Sequence, residues 1–188
     1  MLQDRGYDTA CIGKWHLGKD PTTQGFDFNV AGKQWGSPSG GGYHSPYKYP
    51  NLEQKNKGEY LTDRLGREAC KFIEQCKDKP FFLYFTHYAV HTPIEAKEEL
   101  IKKYQRKKAT DRHNNPAYAA MIESTDDSVG MVLAKLEELD LSENTIVLFF
   151  SDNGGHGPVT SNSPLRGSKG MLYCLLYTSP SPRDSSQS

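Results

Sequence analysis

Two kinds of hydrophobic pattern alternate along the chain. Thr9–Gly13 is a short apolar run closed by glycine, which predicts a buried strand entering a loop. Between Tyr60 and Cys76, Leu61, Leu65, Ala69, Phe72, Ile73 and Cys76 recur at spacings of three and four. That period predicts an amphipathic helix, and Pro80 stops it. Phe81–Phe85 follows as an apolar, aromatic-rich run, too short for a helix and suited to a central strand. A polar helix is expected around Glu95–Lys107. A longer one over about Ala117–Leu139 carries Tyr118, Ile122, Thr125, Val129, Val132, Leu133, Leu136 and Leu139 on one stripe. Thr145–Phe150 is then a second continuous run of strand formers. The order strand, long loop, helix, strand, helices, strand predicts an α/β domain with a mostly parallel central sheet flanked by helices.

Composition acts mainly by exclusion. The chain has 188 residues, with 23 Lys plus Arg against 23 Asp plus Glu, so its formal charge is zero. General nucleic-acid binders and binders of anionic membranes carry a positive field, and no nucleic-acid partner is expected here. The longest purely apolar runs, such as Ile146–Phe150, fall far short of the ~20 residues needed to cross a bilayer. No secretory leader pattern is visible at the first residues. The four cysteines, at 11, 70, 76 and 174, form no CxxC pair and no zinc-site spacing. Cys70 and Cys76 fall on different faces of a predicted helix and cannot bridge each other.

A parallel sheet puts its chemistry at the carboxyl ends of its strands, where the loops gather. The three loops that follow the predicted strands are 13–18, 86–93 and 151–157, and four of the six histidines lie in them or at their edges. Asp152 and Asn153 offer two adjacent oxygen donors, suited to a hard cation such as Ca²⁺ or Mg²⁺. The plain alternative is an Asn-Gly turn closing a strand. Lys14 and His16 supply a cation for an oxyanion and a proton-transfer group; the alternative is a surface lysine and a packed histidine. His91 adds an imidazole, and Lys169 a cation in the Gly-rich segment 165–170. Together these groups suit an anionic ester, sulfate or phosphate. The long Gly/Ser/Tyr-rich stretch 36–49 is expected to line a cleft, with Tyr43 and His44 as its chemically capable members. Asp126 and Asp127, and the basic run 102–108, are read as solvated helix faces.

The segment 6–18, Gly-Tyr-Asp-Thr-Ala-Cys-Ile-Gly-Lys-Trp-His-Leu-Gly, closely resembles the second signature of the sulfatases. These are the formylglycine-dependent branch of the alkaline-phosphatase-like superfamily. Gly25–Phe28, His91–Pro93, Tyr118–Gly130, Ser151–Gly155 and Leu165–Gly170 follow in the family's order. Within the family the likeness is to the arylsulfatase A-like group. The resemblance implies sulfate-ester hydrolysis, with a sulfated glycan or a sulfated small molecule, such as an aryl sulfate, as substrate. It implies Asp152 and Asn153 as two ligands of an active-site Ca²⁺, and Lys14 as the lysine that holds the sulfate and the nucleophile's oxygen. It further implies His16 as the partner of the formylglycine hydrate, His91 as proton donor to the leaving group, and Lys169 as its helper and a sulfate ligand. Exported, periplasmic or lysosomal location is the family's usual one.

The family's Cys/Ser-x-Pro-x-Arg nucleophile motif does not occur in the 188 residues. Cys11 is followed by Ile-Gly-Lys, and Ser179–Arg183 has serine where the motif's proline belongs. The expectation is a partial catalytic domain over 1–173, inactive alone, with Met1 internal or artificial. Residues 174–188, Ser/Pro-rich and similar to a translated sequencing adaptor, are read as non-native or disordered. A phosphoester or phosphonate hydrolase of the same superfamily, and a non-catalytic pseudo-enzyme, remain the alternatives.

Overall fold

A computed structural model describes residues 1–54, 56–110 and 113–171. Three parallel strands, β1 (Asp8–Gly13), β2 (Phe28–Val30) and β3 (Phe81–Thr86), form one sheet in the order β2-β1-β3. Three helices accompany it: α1 (Leu61–Gln75), α2 (Glu98–Gln105) and α3 (Pro116–Glu138). β1 is the central strand, and Thr9, Ala10, Cys11 and Ile12 are each at most 1% exposed. A strand sealed on both faces and both edges reads as an unbroken apolar run, as the sequence shows. β2 was not anticipated, because three residues carry no usable period.

α1 begins and ends within a residue of the expected limits, and Leu61, Leu65, Ala69, Phe72 and Ile73 are its buried stripe. α3 is started by Asn115, whose Oδ1 accepts from the Tyr118 N–H at 2.9 Å, with Pro116 at its first position. Its buried face matches the hydrophobic stripe only in part, at Tyr118 and Leu136. Ala120, Met121, Ser124 and Ser128 are sealed, whereas Ile122 and Leu133 are 49% and 46% exposed. Small residues allow α3 a close approach to α1, so packing selected by size over hydropathy. On α2, Lys102 pairs with Glu98 at 2.8 Å and Lys103 with Glu123 at 2.6 Å, which makes the basic run a solvated face.

Two expectations fail. β3 is an edge strand, not a central one. Phe81, Leu83 and Phe85 turn to the core, while Phe82 and Tyr84 are 41% and 38% exposed on the other face. The expected strand over 145–150 does not form: its residues are extended coil, and Ile146, Leu148 and Phe150 are at least 73% exposed. An apolar run becomes a strand only when a neighbour takes its backbone N–H and C=O groups, and this run lies on neither open edge of the sheet. The core lies on the α1 side and is rich in tyrosine: Tyr43, Tyr47, Tyr49, Tyr60 and Tyr88 are all buried. Cys11, Cys70 and Cys76 are free thiols, and the expectation for 174–188 lies outside the described residues.

Candidate active site

The site is assembled on the carboxyl ends of β1 and β3. Gly13 closes β1 at φ +111°, and its missing side chain lets the β3 backbone in: a Cβ there would sit 1.7 Å from the Thr86 carbonyl oxygen. Through that contact Lys14 is pinned to β3. The Lys14 N–H donates to Thr86 O at 2.8 Å, and Thr86 Oγ1 donates to Lys14 O at 2.5 Å. The half-buried Lys14 ammonium has its pKa held below the usual lysine value, first by burial, with the Lys169 cation pushing the same way and the Asp152 carboxylate opposing. Lys14 thus lies within electrostatic range of Asp152 and Lys169, up to 155 positions away in the chain, although among the described residues no ion pair joins the three.

Lys169 reaches this place by a chain of backbone contacts. Its N–H donates to Gly155 O at 3.1 Å, the Gly155 N–H donates to Asn162 Oδ1 at 2.9 Å, and Asn162 Nδ2 donates to Gly167 O at 2.9 Å. One carboxamide therefore ties the 165–170 loop to the Asp152–Gly155 turn. Ser151 Oγ donates to Asn153 O at 2.7 Å and tightens that turn.

His16 stands exposed at φ 64°, its N–H donating to Lys33 O at 2.9 Å. The Gly36 α-carbon lies against its imidazole, so close that a Cβ would come within 2.6 Å of the ring. His91 sits in the loop after β3 with Nδ1 2.8 Å from Thr92 O. A carbonyl oxygen only accepts, so Nδ1 carries the hydrogen and Nε2 is the nitrogen left for proton exchange. Among the described residues no side-chain hydrogen bond or ion pair joins Lys14, His16, His91, Asp152 and Lys169 to one another; Lys14 and His16 follow β1, and His91 follows β3.

Sequence reasoning missed two contributors and misplaced a third: Thr86 anchors Lys14, Gly36 backs His16, and Tyr43, expected to line a cleft, is sealed beneath the His91 loop. Glycine after tryptophan in a polar loop was the only available signal for Gly36. A groove of about 560 Å³ runs along 157–171 past Asn114, Thr160, Asn162 and Ser168. It contains neither Lys14 nor Asp152.

His87, also in the loop after β3, has a different role. Ser128 Oγ donates to Thr62 O at 3.3 Å and so accepts from His87 Nε2–H at 3.0 Å, which joins this loop to α3 and α1. Its ring packs on Phe85, 4.3 Å between centroids, and burial lowers its pKa from 6.5 to about 4. The unfolded chain takes up a proton here that the native chain refuses. Stability is therefore fully present above pH 6.5, falls as pH drops from 6.5 to about 4, and is flat below. The full shift corresponds to about 3 kcal/mol; the partial exposure of the ring reduces the expected loss to about 2. Urea unfolding at pH 7.5 and pH 4.5 should show that difference for the wild type and little of it for His87→Gln. Equal pH dependence in both proteins would assign the effect elsewhere.

The sulfatase family model matches residues 1–177. This chain belongs to the sulfatase family. It is 34% identical over 227 residues to a sulfatase of Formosa agariphila, covering 92% of this chain and 41% of that protein. It is 34% identical over 193 residues to arylsulfatase J of Mus musculus, covering 92% of this chain and 31% of the relative. The crystal structure of Ps i-CgsB in complex with k-i-k-neocarrahexaose superposes with a TM-score of 0.71 at 31% identity, over 90% of this chain and 42% of that one. The fold is that of the sulfatases, with the parallel sheet and its helices represented in part. The chain spans less than half the length of these relatives.

Proposed function

We propose that the chain is part of the catalytic domain of a sulfuric ester hydrolase whose substrate is a sulfated glycan or aryl sulfate. The observation that carries the reading is that the Lys14 ammonium, at the carboxyl end of β1, lies within electrostatic range of both the Lys169 cation and the Asp152 carboxylate. Two cations side by side repel unless an anion lies between them, and a sulfate monoester brings three outer oxygens to neutralise. The oligosaccharide named with the Ps i-CgsB structure supports a glycan substrate.

Lys14 and Lys169 bind the sulfuryl oxygens. His91, with its hydrogen on Nδ1 committed to Thr92 O, takes up a proton at Nε2 and delivers it to the departing alkoxide. His16 orients the hydrated nucleophile. The family's Cys/Ser-x-Pro-x-Arg motif, which would supply the formylglycine nucleophile, does not occur in these 188 residues, and no residue here is assigned that part. Asp152 and Asn153 are oxygen donors of the kind Ca²⁺ takes, but they are two where the ion wants six to eight. Among the described residues no group of three His, Cys, Asp or Glu side chains could hold a metal. The donors present would complete a shell, not form one.

Binding of the inorganic anion tests the reading without turnover. Titration of the chain with sodium sulfate should give an affinity that falls about tenfold in Lys14→Ala and in Lys169→Ala, the scale of one lost charge-assisted bond. The wild-type chain should release no product from 4-nitrocatechol sulfate. Unchanged sulfate affinity in both variants would sink the proposal, and markedly tighter inorganic phosphate binding would favour the phosphoester alternative.

A further inference from the structure

We propose that Tyr43 is a positioning residue for His91, an assignment that rests on the catalytic reading of that histidine. Tyr43 is 0% exposed, yet its hydroxyl is not spent on the core. Its Oη donates to Tyr88 O and His91 O, both at 2.8 Å, as a three-centre bond. The His91 N–H in turn donates to Tyr88 O at 3.0 Å, so the turn 88–91 is closed by its own bond and clamped from below by one phenol.

The clamp is itself rigid. The Tyr43 N–H donates to Glu95 Oε2 at 3.2 Å, its carbonyl accepts from the Leu61 N–H at 2.7 Å, and its ring stacks on Tyr60 at 5.9 Å. Burial raises the phenol's pKa, so the group stays a donor throughout the working pH range. The geometry has one consequence for chemistry. The His91 carbonyl is fixed by Tyr43 and the Thr92 carbonyl by the His91 Nδ1–H at 2.8 Å, so backbone and imidazole are locked together. The tautomer with hydrogen on Nδ1 and Nε2 open follows from that lock. A tyrosine serving only the core would need no hydroxyl here, and phenylalanine would fill the same volume.

Long-range ¹H–¹⁵N spectra of the histidine rings test the assignment, with the His91 signals identified by their loss in His91→Gln. In the wild type the ring should show the single tautomer with Nδ1 protonated. Tyr43→Phe should shift the His91 ring nitrogens toward averaged values while leaving His87, bonded to Ser128, where it was. Unchanged His91 nitrogens in a folded Tyr43→Phe, or equal movement of every histidine, would overturn the proposal. If Tyr43→Phe does not fold, the wild type decides: a slowly exchanging Tyr43 hydroxyl proton with NOEs to the His91–Thr92 backbone supports it, and absence of that proton overturns it. The sulfate titration of Lys14→Ala is read separately, so either reading can fail while the other stands.

Discussion

Gly13→Ala is expected to destabilise the chain by about 4 kcal/mol or more, the range reserved for substitutions that force the backbone apart. The added Cβ would lie 1.7 Å from the Thr86 carbonyl oxygen and 2.7 Å from its carbon, and neither is the movable end of a flexible side chain. At φ +111° an L-residue is also strained by about 1–3 kcal/mol, whatever the space. Relief requires β1 and β3 to separate at Gly13, which costs the Lys14 N–H bond to Thr86 O and the reciprocal Thr86 hydroxyl bond. Stability and site are coupled at this position. Urea unfolding followed by circular dichroism measures the first. Sulfate titration of whatever fraction folds measures the second, and it should be at least as weak as Lys14→Ala. A Gly13→Ala protein within 1 kcal/mol of wild type would mean that the strands are not joined here as described.

Arg64→Met should cost about 3 kcal/mol, the scale of breaking a buried ion pair from one side. Arg64 is 4% and Glu59 8% exposed. The guanidinium donates to Glu59 Oε2 at 3.0 Å, Glu68 Oε1 at 2.9 Å and Glu53 O at 2.9 Å, so one side chain satisfies three acceptors. Burial opposes ionisation of Glu59, but hydrogen bonds from Tyr47, Arg67 and Arg64 outweigh it and keep its carboxyl below the usual range. Methionine keeps the aliphatic stem and removes the charge. Arg67, 2.7 Å from Glu59 Oε1 and half exposed, then remains as the only cation on Glu59, which is why the expected cost lies at the lower end. The damage should reach the site. The Ser45 N–H donates to Glu59 O and Leu61 N–H to Tyr43 O, so displacing Glu59 loosens the segment that carries the Tyr43 phenol. Arg64→Met/Glu59→Leu should recover part of the loss, since Glu59 is no longer stranded and Glu68 keeps its longer contact to Lys71 at 3.9 Å. Denaturation midpoints at constant m measure both variants. A single-variant cost below 1 kcal/mol would show that solvent reaches the pair.

Much of the architecture was legible because it depends on local periods. The stripe of α1 and the unbroken run of β1 both sit in surroundings that their hydropathy describes. α3 was legible in extent but only partly in facing: Tyr118 and Leu136 of the stripe are buried, but Ala120, Ser124 and Ser128 share the packed face while Ile122 and Leu133 are exposed. The run 145–150 shows the opposite error: its strand-forming residues are plain, but pairing is supplied by a neighbour, and hydropathy does not encode whether one is there.

The site divides in the same way. The chemical types at positions 14, 16, 91, 152, 153 and 169, their order, and their place after strands or in glycine-rich loops were all determined by the sequence, and so was membership of the sulfatase family. Tertiary structure alone decided that Lys14 comes within electrostatic range of Asp152 and Lys169, that Thr86 fastens Lys14, that Gly36 backs His16, and that Tyr43 lies under His91. Side-chain chemistry is a property of single residues and survives in a linear reading. Distances between residues far apart in the chain exist only after strands pair and helices pack, because each such contact is the joint outcome of every element that holds its two ends.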